Sequence, residues 1–155
     1  MSAGKPAVLF VCLGNICRSP LAEAAFRVEA ERAGLDVEVD SAGTGGWHAG
    51  EPPDPRALAV ARRNGVDMSG YRARQVEPAD FARFSHIVAL DGDNLAVLRR
   101  LRPKKGAALS LLLDHVPGRR GEAVADPYYG ADTGFDATWA DVTLGARHLV
   151  RALKA

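Results

Sequence analysis

Short runs that are apolar at every position alternate along the chain with longer segments whose apolar residues recur every third or fourth place. The run Val8-Leu9-Phe10-Val11 predicts a strand buried on both faces. Behind it, 20–33 reads as a helix, with Ser19 as the expected N-cap, Pro20 at the first helical position and Gly34 at the exit. Leu21, Ala24, Ala25 and Val28 then share one face. A short second strand is expected at 37–39, before a loop running from Asp40 to His48. Next come a helix at 55–64 stopped by Gly65, a helical stretch around Phe81 and Phe84, and a strand at 86–90. A helix at 94–101 ends before Pro103, and 108–113 is the fourth strand. The clearest helix is the last, where Phe135, Trp139, Val142, Ala146, Leu149 and Leu153 keep one continuous apolar stripe.

Strands apolar on both faces and alternating with helices predict an α/β fold. The expected form is a three-layer sandwich, a central four-stranded parallel sheet flanked by helices on both faces. Ligands in such sheets bind beyond the carboxyl ends of the strands. The segment Val11-Cys12-Leu13-Gly14-Asn15-Ile16-Cys17-Arg18-Ser19-Pro20 lies at such an end.

Bulk properties narrow the picture. With 155 residues, 47% of them hydrophobic and 25% charged, the chain suits one globular domain over 1–155, with 1–6 as a flexible polar lead. A net charge of +1 gives no global attraction to nucleic acid or an anionic membrane, so neither is an expected partner. The first apolar run is too brief for a signal peptide and no segment reaches membrane-spanning length, so a cytoplasmic monomer is expected. The two cysteines, Cys12 and Cys17, are too close together to staple a fold and read as free thiols. His48, His86, His115 and His148 have no ligand spacing, so no metal and no cofactor is expected. His48 is placed to touch a substrate or simply to be a polar loop residue, and His148 is expected to be solvated. The basic run Arg99, Arg100, Arg102, Lys104 and Lys105 reads as a solvated helix end.

The chemistry concentrates in the first loop. Backbone N–H groups between a strand end and a helix start lack helical partners and can converge on an anion, which the helix dipole also favours. The loop from Leu13 through Gly14, Asn15, Ile16 and Cys17 to Ser19 is therefore the expected phosphate cradle. Gly14 allows a tight turn and close approach, and Asn15 tolerates left-handed backbone. Arg18 adds a planar fork suited to two phosphate oxygens. The same field favours the ionised form of a thiol, making Cys12 a candidate nucleophile, with Ser19 able to donate a hydrogen bond to it. A buried cysteine at a strand end can also be mere packing. Cys17 divides evenly between that role and a backup thiol that pairs transiently with Cys12 under oxidant.

Val-Cys-Leu-Gly-Asn-Ile-Cys-Arg-Ser-Pro-Leu-Ala-Glu, starting at Val11, resembles the signature of the low-molecular-weight protein-tyrosine phosphatases. Asp40-Ser41-Ala42-Gly43-Thr44, Trp47, Ala73-Arg74-Gln75 and Asp126-Pro127-Tyr128-Tyr129 resemble that family in the same order. The resemblance implies hydrolysis of phosphotyrosine on proteins through a phosphocysteine, with inorganic phosphate as product and inhibitor. It carries the general-acid role onto Asp126 and a supporting role, holding Asn15, onto Ser41. From the residues alone Asp126-Pro127 also reads as a turn, and Asp132, Asp136 and Asp141 read as a cap and a solvated helix face. Trp47, Tyr128 and Tyr129 would wall a cleft for an aryl phosphate, and by resemblance shape substrate preference. Gly70-Tyr71 stands where many relatives carry a histidine, so any role of that histidine cannot be moved here.

Other readings share part of the pattern. Arsenate reductases resemble this loop but need further cysteines to relay a disulfide, and the chain has none. Protein-arginine phosphatases are similar but carry threonine where Ile16 stands. A non-catalytic phosphate-binding module would need neither Cys12 nor Asp126.

Overall fold

The computed structural model describes residues 5–155; of the expected polar lead at 1–6, the first four residues lie outside that range. Strand β1 (Ala7–Cys12) is buried at every position, as its unbroken apolar run requires. It sits inside a parallel sheet of order β2-β1-β3-β4, with β2 at Glu38–Gly43, β3 at His86–Ala89 and β4 at Ala108–Leu111. Side chains on β1 alternate between the faces. Val8, Phe10 and Cys12 point into a core closed by helices α1 (Arg18–Ala33), α2 (Pro55–Arg63) and α5 (Gly134–Lys154). Leu9 and Val11 point into a second core under α3 (Asp80–Arg83) and α4 (Gly92–Leu101). The expected three layers and central four-stranded parallel sheet are present.

Several element ends differ from the sequence expectation, each for a local reason. Helix α1 begins at Arg18 behind Cys17, and Ser19 is not its cap: that hydroxyl turns back toward the Cys12 sulfur, 3.0 Å away. Nor is α1 apolar on one face only. Ala22 and Phe26 are buried along with Leu21, Ala24 and Ala25, because the helix is wedged between the sheet and α5, while Val28 is half-buried. Gly34 closes the helix at φ 69°, as expected.

Strand β2 runs on through Asp40 and Ser41, which the sequence assigns to a loop. Leu9 pairs with Asp40 and Phe10 with Ser41, and the two polar side chains are satisfied by Arg74 and Glu23. β4 stops at Leu111, two residues early, because the Asp114 carboxylate accepts from the Leu111 N–H (2.9 Å) and turns the chain into a 3-10 segment at Leu112–His115. Helix α5 has no side-chain cap, so Asp132 does not serve as one. Asp136 is exposed, as a solvated helix face implies, and pairs with Arg63 at 2.8 Å, while Asp141 is half-buried and pairs with Arg119 at 2.8 Å. His148 is half-buried rather than solvated. Along the α5 stripe Phe135, Val142, Ala146 and Leu149 are buried, while Trp139 and Leu153 are half-buried.

Candidate active site

The carboxyl end of β1, the start of α1 and the loops after β2 and before α5 surround a cavity of about 140 Å³. Cys12, Leu13, Gly14, Ile16, Cys17 and Arg18 form its floor. Trp47, His48, Asp126, Tyr128 and Tyr129 form its rim. Among the described residues no group of three or more His, Cys, Asp or Glu side chains converges as metal ligands would.

The floor is shaped from behind. Asn15 is the only non-glycine residue among those described with positive φ, 59°, and it bends the loop back on itself. Its amide secures that bend. Nδ2 donates to Ser19 Oγ (2.8 Å) and Ser41 Oγ (3.0 Å), and Oδ1 accepts from the Arg74 N–H (3.0 Å). Gly14 lies in the same bend without positive φ. A Cβ there would meet the His48 ring at 3.0 Å.

A buried polar chain continues behind the loop. Ser41 Oγ donates to Glu23 Oε1 (2.8 Å), and Arg27 donates to Glu23 Oε2 through Nε (3.0 Å) and Nη2 (2.8 Å). Burial pushes the Glu23 carboxyl above its ordinary range, against the opposing pull of the Ser41 and Arg27 hydrogen bonds. The chain has a direction. Because Ser41 spends its hydrogen on Glu23, it can only accept from Asn15, and Ser19 likewise accepts from Asn15. The Ser19 hydrogen is then free to point at the Cys12 sulfur, 3.0 Å away, in preference to the Ala42 carbonyl at 3.4 Å. The Ser19 N–H adds a longer contact to the same sulfur, 3.4 Å. Tyr71, half-buried where relatives were expected to carry a histidine, is pushed up to about 12, first by burial and then by Glu23.

Cys12 and Cys17 are both buried free thiols. Burial, reinforced by the Asp54 carboxylate and by Cys12, pushes the Cys17 thiol far above the ordinary range, so it is un-ionised at neutral pH. Arg18, 4% exposed, donates through Nη1 to Asp91 Oδ2 (2.8 Å) and the Val124 carbonyl (2.9 Å). Nη2 lies 3.6 Å from Asp126 Oδ2. Among the described residues no hydrogen bond uses Nε or Nη2, which leaves that edge of the fork for a ligand. Asp91 is itself the cap of α4, its other oxygen accepting from the Asn94 N–H at 2.8 Å.

Asp126 sits on the opposite lip. Its Oδ1 accepts from the Tyr128 N–H (3.1 Å), a turn that folds the Asp-Pro segment. Tyr128 and Tyr129 meet edge to face at 4.8 Å, and Trp47 lies over Gly45. These aromatics stand at the mouth and are exposed, Trp47 at 70% and Tyr129 at 93%. The arrangement can hold a tetrahedral anion beside a thiol, receive a flat group between the aromatic walls, and present a carboxyl to that group.

All the sequence-predicted site residues fall in this cavity or directly behind it. His48, for which substrate contact was one of two readings, lines the rim, while Glu23, Asp91 and the Asp54–Arg56 pair join the site without a sequence signal that names them for it. Asp54-Pro55-Arg56 and Asp91-Gly92-Asp93 do carry a readable signal, an aspartate opening a helix, but that signal names a cap and not a neighbour.

A family model described as low molecular weight phosphotyrosine protein phosphatase matches residues 7–155. A low molecular weight protein-tyrosine-phosphatase of Streptomyces coelicolor is 46% identical over 153 residues, covering 95% of this chain and 93% of that protein. A low molecular weight phosphotyrosine protein phosphatase of Schizosaccharomyces pombe is 46% identical over 132 residues, with 83% and 84% covered. The crystal structure of YfkJ from Bacillus subtilis superposes with a TM-score of 0.90 at 40% identity, covering 99% of this chain and 98% of that one.

Proposed function

The chain belongs to the low molecular weight phosphotyrosine protein phosphatase family and is a protein-tyrosine phosphatase, and from that premise we propose how its residues divide the work. The Cys12 thiolate attacks phosphorus, forming an S–P bond as the bond to the tyrosine oxygen breaks. Asp126 gives its proton to the departing phenolate oxygen. In the second step Asp126 accepts a proton from water as that water attacks the phosphocysteine, releasing phosphate and restoring the thiolate. The free edge of the Arg18 fork and the amides from Leu13 to Arg18 hold the equatorial oxygens, so positive charge waits where negative charge accumulates. Ser19 donates to the sulfur while it is an anion, and Ser41 keeps Asn15, and through it Ser19, in register.

The observation that carries this reading is the meeting of Cys12, Arg18 and Asp126 on one cavity beneath aromatic walls. Trp47, Tyr128 and Tyr129 stack a flat leaving group, which favours phosphotyrosine over an aliphatic ester. The substrates are proteins bearing phosphotyrosine, and inorganic phosphate is both product and inhibitor. The protein acts as a single-domain monomer in the cytoplasm, without cofactor, nucleic acid or membrane. No helix among the described residues is long and apolar enough to cross a membrane.

Initial rates on phosphotyrosine, phosphoserine and phosphoarginine peptides test the reading side by side. Phosphotyrosine should be fastest, and Cys12→Ser should abolish turnover while still binding phosphate. Faster release from phosphoarginine would transfer the chain to an arginine phosphatase chemistry, and turnover by Cys12→Ser would remove the nucleophile.

A further inference from the structure

The segment Asp126-Pro127-Tyr128-Tyr129-Gly130 has little to hold it. Pro127 is buried, but Asp126, Tyr128 and Tyr129 are exposed. Within the loop the Asp126 carboxylate accepts from the Tyr128 N–H and the Pro127 carbonyl from the Gly130 N–H. Between 126 and 133, among the described residues, a single hydrogen bond arrives from outside the loop and the helix that follows it. Arg56 Nη2 donates to the Tyr128 carbonyl at 2.9 Å.

Arg56 is well placed to be a fixed point. Its fork is bidentate on Asp54, Nε to Oδ1 and Nη2 to Oδ2, both 3.1 Å. The guanidinium carbon lies 4.7 Å from the centre of the Phe135 ring and 5.6 Å from that of Tyr128. Asp54 is anchored in turn. It caps α2, accepting from the Arg56 N–H at 2.8 Å, and its own N–H donates to the Ile16 carbonyl at 2.9 Å. One arginine therefore ties together the phosphate loop, the start of α2, the start of α5 and the loop bearing Asp126. Burial raises the Asp54 carboxyl, but the hydrogen bonds from Arg56 outweigh it and hold the group below its ordinary range, so the pair stays ionised at working pH.

We propose that Arg56 is a positioning residue for acid catalysis: by gripping the Tyr128 carbonyl it keeps the Asp126 carboxyl over the cavity, where a poor leaving group needs its proton. The inference rests on Asp126 being the general acid. Arg56 touches no reacting atom, so its effect travels only through the loop. Substrates whose leaving groups depart without help should scarcely notice its loss.

The test is kcat/KM, which reports the first chemical step, on phenyl phosphate and on p-nitrophenyl phosphate. It is measured for the natural chain, Arg56→Met, Asp126→Ala and the double variant. Arg56→Met should lose about tenfold on phenyl phosphate and less than about twofold on p-nitrophenyl phosphate, part of the ~10²–10⁴ a general acid supplies. In the Asp126→Ala background Arg56→Met should change nothing further, and Arg56→Met alone should leave inhibition by inorganic phosphate unaltered. Arg56→Lys, which keeps the charge without the fork, should show the same pattern to a lesser degree and serves if the methionine variant does not fold. Equal losses on both substrates, losses that multiply in the double variant, or weakened phosphate inhibition would overturn the proposal. If Asp126→Ala itself shows no added dependence on the leaving group, the acid assignment fails and the inference with it. If Asp126→Ala shows that dependence and the Arg56 variants do not, only the role of Arg56 is lost.

Discussion

Asn15 illustrates how much one side chain can decide. It occupies left-handed backbone and makes three hydrogen bonds, to Ser19, to Ser41 and from the Arg74 N–H. Asn15→Ala loses all three and puts a residue less tolerant of left-handed backbone at that position, so stability should fall by about 2–3 kcal/mol. Asn15→Gly tolerates that backbone but does not restore the lost bonds, so its urea midpoint should lie between those of the alanine variant and the natural chain. An order reversed between the two would mean that the backbone conformation is not what Asn15 is there for. Much of this was readable beforehand, because Cys12, Asn15, Arg18 and Ser19 lie within one short stretch and their chemistry is local. Asp91 was not, since it meets Arg18 across 73 positions and its own neighbours announce only a helix cap.

Among the elements, the pairing of α5 with the 3-10 segment shows packing overruling propensity. Gly145 lies in the middle of α5, where glycine is a poor helix former. A Cβ at that position would come within 2.5 Å of Leu112 Cγ, and Leu112 is fully buried. Gly145→Ala should therefore destabilise by about 1–2 kcal/mol despite a gain in helix propensity of up to about 1 kcal/mol, and a raised urea midpoint would refute the close approach. The expected strands and helices were legible from periodicity, as were ends with a local mark such as Pro55 and Gly34, but ends set by distant partners were not. β2 outran its apolar run because Arg74 and Glu23 satisfy Asp40 and Ser41 from distant positions, and β4 stopped short because of a single carboxylate, Asp114. Such partners leave no trace in a local window of sequence.

For the molecule as a whole, pH should act through two histidines outside the cavity. His86 opens β3, and His115 closes the 3-10 segment, its Nε2 2.9 Å from Ser110 Oγ. Burial lowers both imidazoles below 6.5; for His115 the Asp114 carboxylate opposes the shift and His86 adds to it. The unfolded chain then takes up protons before the folded one, so stability is full above 6.5 and is lost as pH falls through the depressed folded values. Urea midpoints followed from neutral to acid should show that decline, and the double variant His86→Gln, His115→Gln should flatten it. An unchanged slope would assign the acid sensitivity to other groups. The fold class was the most legible feature of all, since doubly buried strands between helices admit few architectures.

The hydrogen-bonded file from Arg27 to Cys12 has a further consequence. Because it braces the bowl from the protein side, the bowl needs no guest to take its shape, and little ordering entropy is spent when one arrives. A rigid receptacle of that kind cannot refuse other tetrahedral guests of similar size: sulfate, vanadate and arsenate should all nest in it. Discrimination among them falls to reactivity after entry rather than to admission.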